Sequence, residues 1–240
     1  MWRGRLASSS DTRHRLLELL SSDELQRARG YKFDLHRDQY ILARGLLRVI
    51  LSIYTDGPAD QLAFAYTQYG KPFLANCGIH FNVSHSDELA LYAIAHEQRL
   101  GVDIERMRPV RDQEALAKQF FSRAEYKDWL ALHPFSRTEG FFNCWTRKEA
   151  YLKAIGNGLS ARLDTFDVSL TPRAVAAINA IDGQSRPASK WSLFHLNPEH
   201  DYVGAIAVYG RKWQLRHMLW SEDLSSQHSV HPDIGLLLAG

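Results

Sequence analysis

The stretch Leu100-Gly101-Val102-Asp103-Ile104-Glu105-Arg106-Met107-Arg108-Pro109-Val110-Arg111 decides the architecture. Its first six residues predict a strand. Successive strand side chains point to opposite faces, so Asp103 and Glu105 project side by side while Ile104 faces the core. Residues 106–111, with Pro109, break the element. A seam between two halves is expected near 100–110.

Working outward from the seam, the apolar run 89–95 predicts a second strand, joined to the first by the polar turn 96–99. Residues 81–84 and 62–66 are strand-like, with the turn Gly70-Lys71-Pro72 between them. Further upstream, Tyr40, Ile41, Leu47, Ile50, Leu51 and Tyr54 make the apolar stripe of a helix over 37–54, with Asp56-Gly57-Pro58 as its stop. Residues 11–29 are also helical, and Ser21/Ser22 ahead of Asp23-Glu24 can start a new helix.

Downstream, helices are expected over 113–121, 122–132 and 141–155. Ser122 and Glu125 form the signature of a capping box. Gly156-Asn157-Gly158 supplies the left-handed geometry that ends the third helix. Strands follow at 164–170, 191–196 and 202–209. The order, helices then strands, occurs twice. This argues for an α+β protein of two similar α/β halves. The expected divisions are 1–105, 106–215 and a Ser- and His-rich tail, 216–240, loosely ordered.

Composition bounds the function. The chain has 240 residues, 45% hydrophobic and 23% charged, enough to bury a sizeable core. Its net charge of +2 is no polycation, so no nucleic-acid partner is expected. Two cysteines, Cys77 and Cys144, are too few for a disulfide scaffold. The N-terminus has basic residues but no apolar run of secretory-signal type, and the longest apolar runs, such as 89–95, are too short to span a membrane. A cytoplasmic setting is expected.

Several residues can carry chemistry. Asp103 and Glu105 repel each other unless something positive lies between them. Mg2+ answers that need, since it binds oxygen ligands through a few carboxylates plus substrate phosphates. A strand end turning into solvent is the plainer alternative. In Phe141-Phe142-Asn143-Cys144-Trp145-Thr146-Arg147-Lys148-Glu149-Ala150-Tyr151-Leu152-Lys153, helical spacing puts Trp145, Glu149, Leu152 and Lys153 near one face. Glu149 can add a third carboxylate, and Lys148 and Lys153 can neutralise phosphate oxygens. An amphipathic helix with a Glu–Lys pair would read the same way. Ser84 and His85, in Phe81-Asn82-Val83-Ser84-His85-Ser86, suit phosphate hydrogen bonds better than a hydrolase pair, which is assembled across a fold. Lys71, fixed by its turn, and Arg44, on the long helix, suit anion binding.

Taken in order, G-K-P, F-N-x-S-H, G-V-D-I-E and W-x-x-K-E-A-x-x-K resemble the 4'-phosphopantetheinyl transferase superfamily, of the surfactin-synthetase (Sfp) type. The motifs span about 35–160. The resemblance implies a pseudo-dimer of two halves around one cleft. It implies transfer of 4'-phosphopantetheine from coenzyme A to a serine of an apo acyl or peptidyl carrier protein by a monomer. It implies that Asp103, Glu105 and Glu149 hold Mg2+, or Mn2+, with the CoA diphosphate. Lys153 and His85 then meet phosphate groups, Ser84, Lys71 and Pro72 line the adenylate pocket, and Arg44 meets the 3'-phosphate. Glu125 matches a further family acid. Glu149 is the first candidate for general base, directly or through water, and Glu125 the second. One of Arg29, Lys32 and Arg37 is expected to meet CoA as well. A catalytically silent CoA- or carrier-binding regulator of the same fold is the alternative.

Overall fold

The computed structural model describes residues 1–75, 77–156 and 162–221. In chain order the elements are β1 (Trp2–Arg5), α1 (Ser10–Glu18), α2 (Ser22–Arg29), α3 (Asp34–Ser52), β2 (Phe64–Tyr66), β3 (Pro72–Leu74), β4 (Ile79–Ser86), β5 (Leu89–His96) and β6 (Leu100–Arg106). There follow α4 (Gln113–Phe120), α5 (Arg123–Ala131), α6 (Arg137–Ile155), β7 (Phe166–Val168), β8 (Ile178–Ile181), α7 (Ser185–Ala188), β9 (Trp191–Leu196), β10 (Tyr202–Tyr209) and β11 (Met218–Leu219).

One sheet has the order β11-β1-β5-β4 and a second the order β6-β10-β9. Every pairing within them is antiparallel except β1 with β11. Strand β1, which the sequence reading did not expect, precedes the first helices; apart from it, helices come before strands twice along the chain, in an α+β order. Alternation along the strands builds the layers. Leu89, Leu91 and Ala93 of β5 meet Leu100, Val102 and Ile104 of β6 and Ile206 and Val208 of β10 in one apolar layer between the sheets. The opposite face of β5, Ala90 and Tyr92, packs under Leu46, Leu47 and Ile50 of α3. The opposite face of β10, Val203, Ala205 and Ala207, packs under Ala150 and Ala154 of α6.

Local signals set the helix starts. Ser21 and Glu24 form a capping box ahead of α2, and Ser122 and Glu125 form one ahead of α5. Gly156 ends α6 in the left-handed region at φ 76°, the conformation expected of it. Asn157 and Gly158 lie outside the described residues.

Two expectations about the halves change. Strand β6 pairs with β10, from Leu100 opposite Val208 to Arg106 opposite Tyr202. The strand carrying Asp103 and Glu105 therefore belongs to the second sheet, and the seam falls in the turn before it, not at 105. The segment after 215 is also partly built into the fold. Met218 and Leu219 pair with Trp2 and Arg3, and Trp220 is buried in the N-terminal core. Strand β1 would otherwise be a bare edge, and an apolar tryptophan has a reason to cover it. Neither β1 nor β11 carries a long alternating pattern, so their pairing is set by distant chain.

Candidate active site at the seam between the sheets

Strands β4 and β6 belong to different sheets, and no backbone ladder joins them. Side chains bridge them instead. Asn82 Oδ1 accepts the Val102 N–H at 2.8 Å. Ser84 Oγ donates to Asp103 Oδ1 at 2.9 Å, and Ser86 Oγ donates to Glu105 Oε2 at 3.0 Å. Ser86 Oγ also accepts the Arg106 N–H at 3.1 Å.

Helix α6 closes over the face of β6 that carries Gly101, Asp103 and Glu105. A Cβ at Gly101 would strike the Ala150 carbonyl and the Ala154 and Lys153 backbone, so only glycine allows this approach. The approach delivers Lys153 Nζ to Asp103 Oδ1 at 2.6 Å and to Ser84 Oγ at 3.0 Å. Glu149, one turn earlier, shares that flank of the helix.

The carboxylates are strained against one another electrostatically. Burial raises the pKa of Glu105, and the charge of Asp103 raises it further. Burial and then Asp103 raise that of Glu149 too, while Lys153 works the other way in both. Asp103 is only 4% exposed, and its Oδ2 is buried with no hydrogen-bond partner among the described residues. Oxygen donors around an orphaned carboxylate oxygen fit a hard divalent cation. Among the described residues, no three His, Cys, Asp or Glu side chains gather closely enough to chelate a metal unaided.

Two cavities adjoin this cluster and share Gly70, Pro72 and Asn82 as wall. The smaller, about 230 Å3, is lined by Tyr69, Lys71, Glu149 and Lys153 among others. The larger, about 590 Å3, is lined by Arg27, His36, Tyr40, Arg44 and His85 among others. Burial and then Lys153 lower the pKa of His85, which favours its neutral form before an anion enters. Sequence reasoning missed Arg27 and His36. It had expected Arg29, Lys32 or Arg37 upstream, yet none of these lines the cavity. Arg37 is held by Asp34 and Asp38. The helical phase of α2, not residue type, separates Arg27 from Arg29.

The structure thus brings together Asp103, Glu105, Glu149, Lys153, Ser84, His85, Lys71, Pro72 and Arg44, though some are committed differently than expected. The Ser84 hydroxyl is spent on Asp103 and Lys153. Arg44 is neither bare nor solvated: it pairs with Glu24, donates to Tyr66 Oη at 2.7 Å and lies 4.1 Å over the Phe64 ring. Glu125 and Lys148 do not join the cluster. They form a buried ion pair at 2.7 Å, with side chains 2% and 1% exposed. Lys148 also donates to the Leu163 and Phe166 carbonyls, and Glu125 accepts the Ser122 and Val168 N–H groups. Their polar atoms are consumed within the C-terminal half, which corrects Glu125 as a base and Lys148 as a phosphate contact.

Lys71 has a structural commitment as well. Its Nζ donates to the Lys153 carbonyl at 2.5 Å and the Leu100 carbonyl at 3.2 Å. Burial, and then the charge of Lys153, push its pKa from the ordinary 10.5 down to about 8. The folded chain therefore binds fewer protons than the unfolded chain between these values, and stability rises with pH across that window. The cost of the buried charge is fully present below the lower value, at about 3 kcal/mol. Lys71→Met is expected to flatten the rise. Urea unfolding at the two ends of the window measures it, and an equal rise in both proteins would clear Lys71 of the effect.

Comparison with known proteins agrees with this site. The sequence model of the 4'-phosphopantetheinyl transferase superfamily matches residues 99–207, and that of the 4'-phosphopantetheinyl transferase N-terminal region matches residues 6–98. The chain is 41% identical over 218 residues to the 4'-phosphopantetheinyl transferase HetI of Nostoc sp., covering 89% of each chain. The chain belongs to the 4'-phosphopantetheinyl transferase superfamily. It is also 32% identical to the transferase Sfp of Bacillus subtilis, over 74% of this chain and 78% of that one. The transferase psf-1 of Bacillus pumilus is 31% identical over 71% of this chain and 72% of its own. The two family matches meet between 98 and 99, in the turn before β6. As a member of this family the chain is a transferase. No helix among the described residues is long and apolar enough to cross a membrane.

Proposed function

We propose that the chain transfers 4'-phosphopantetheine from coenzyme A to a serine of an apo acyl or peptidyl carrier protein, in a Mg2+-dependent reaction. The products are the holo carrier protein and adenosine 3',5'-bisphosphate. The observation that carries the reading is Asp103, buried with Oδ2 unpartnered and held through Oδ1 by Lys153 Nζ at 2.6 Å, while Lys153 and Glu149 line the adjoining cavity.

In this reading the larger cavity takes the nucleotide, with Arg27, His36, Arg44 and His85 supplying donors for its phosphates. Asp103, Glu105 and Glu149 hold the cation, with Mn2+ as an alternative. When bound, it neutralises the diphosphate and polarises the phosphorus under attack. Lys153 meets charge developing on the phosphoryl oxygens. The carrier serine oxygen forms a bond to the pantetheine-bearing phosphorus, and the bond from that phosphorus to the departing nucleotide oxygen breaks. Glu149 takes the serine proton, directly or through water. Carrier docking is assigned to the basic and apolar side chains after β6, Arg106, Met107, Arg108 and Arg111 with Lys118, Phe120 and Arg123, since carriers present an acidic helix. The enzyme works as a monomer in the cytoplasm. Its two cysteines, both free thiols, suit a reducing compartment.

The test mixes the full chain with fluorescent CoA, Mg2+ and several apo carrier proteins. Label is expected on the carrier serine and is expected to be lost with EDTA. Label on the enzyme itself, or transfer indifferent to chelation, would sink the mechanism.

A further inference from the structure

Ser86, the last residue of Phe81-Asn82-Val83-Ser84-His85-Ser86, has no part in the reaction as described. The strand period of two puts Asn82, Ser84 and Ser86 on one face of β4, and all three reach β6. We propose that Ser86 is a positioning residue, which aims the Glu105 carboxylate at the cation by holding one of its oxygens. The inference rests on the metal reading above.

Three features of the geometry carry it. First, each serine takes one oxygen of a different carboxylate. Ser84 takes Asp103 Oδ1, and Ser86 takes Glu105 Oε2. The other oxygen of each is left to a ligand, and at Asp103 that oxygen is the buried, unpartnered one. Second, Ser86 has its direction set by the backbone. Its oxygen accepts the Arg106 N–H, so its single proton is left to donate to Glu105. Third, β4 and β6 have no ladder between them. These bridges replace it, and the spacing of the sheets at the site is therefore set by short polar side chains. Outer groups of this kind usually hold a ligand's orientation, and losing one lowers metal affinity about 10–100-fold.

Ser86→Thr and Ser86→Val make the decisive pair. They share one shape, and only the threonine keeps a hydroxyl. Mn2+ is the probe, titrated into the full chain with CoA present and followed by the EPR signal of free Mn2+. Ser86→Val and Ser86→Ala are expected to weaken Mn2+ binding about 10–100-fold, with Ser86→Thr close to the original chain. At saturating Mg2+ the KM for CoA should stay unchanged, because Ser86 does not touch the nucleotide cavity. Equal Mn2+ affinity in the valine and threonine variants would overturn the proposal, even if the valine variant melts earlier, since Ser86 would then merely join strands. If the original chain itself binds no Mn2+ with CoA present, the metal reading fails first.

Discussion

Asp103→Asn is expected to cut transfer about a thousandfold, the several kcal/mol of charge stabilisation that a bound cation supplies. The substitution keeps the shape of the side chain and an acceptor for Ser84 Oγ. What it changes is the buried position now held by Oδ2. An amide nitrogen there would point two hydrogens at a cation, and the total charge facing Mg2+ would fall by one. The metal-free protein should be modestly less stable than the original, because Lys153 Nζ, 2.6 Å from Asp103 Oδ1, loses its ion-pair partner, and the partial exposure of Lys153 limits that cost. Transfer rates across a Mg2+ titration, with thermal unfolding measured alongside, separate the two effects. Turnover within tenfold of the original would remove Asp103 from the site.

The second large effect falls on stability. Glu125→Gln is expected to cost about 3–5 kcal/mol, because one partner of a buried ion pair is lost and the other stays buried. Glu125 accepts Lys148 Nζ at 2.7 Å, the Val168 N–H at 2.7 Å and the Ser122 N–H at 2.8 Å. Burial pulls its pKa up while Lys148 opposes the shift. The glutamine would present an NH2 group toward one of these donors. Glu149→Gln should behave in the opposite way, since Glu149 makes no hydrogen bond to another described side chain: its stability holds and its rate falls. Urea unfolding of both variants, with rates corrected for the folded fraction, compares them. A Glu125→Gln protein that is stable yet slow at the chemical step would return Glu125 to the reaction.

The contrast between Glu125 and Glu149 marks how far the sequence could be read. Both are glutamates close to motif residues on or at the start of a helix. Sequence spacing could place Glu149 with Lys153 on one flank, because the helical repeat is a local property. It could identify Ser122 and Glu125 as a cap for the same reason. It could not tell that the free end of Glu125 would meet Lys148 in a dry core, since that depends on how α5, α6 and β7 pack.

The strand pattern divides in the same way. Residues 100–105 announced a strand with two carboxylates on one face, and β6 has that form. Its partner was not legible, so the seam was expected at 105 while hydrogen bonding sets it in the preceding turn. Likewise Arg27 and His36 gave no signal above their neighbours. They matter only because α2 and the start of α3 fold over the cavity wall.

By itself, the sequence determined the α+β order of elements, the family through four ordered motifs, and the pairing of Asp103 with Glu105 on one strand face. Those follow from periods of two and 3.6 residues and from residue types at short range. Only the tertiary structure decided which charged groups meet in the cleft and which pair off in a core. It also decided that β6 joins the second sheet and that Asn82, Ser84 and Ser86 bridge to it. Those depend on contacts between residues far apart in the chain, where burial sets the cost of every unpaired charge and polar atom.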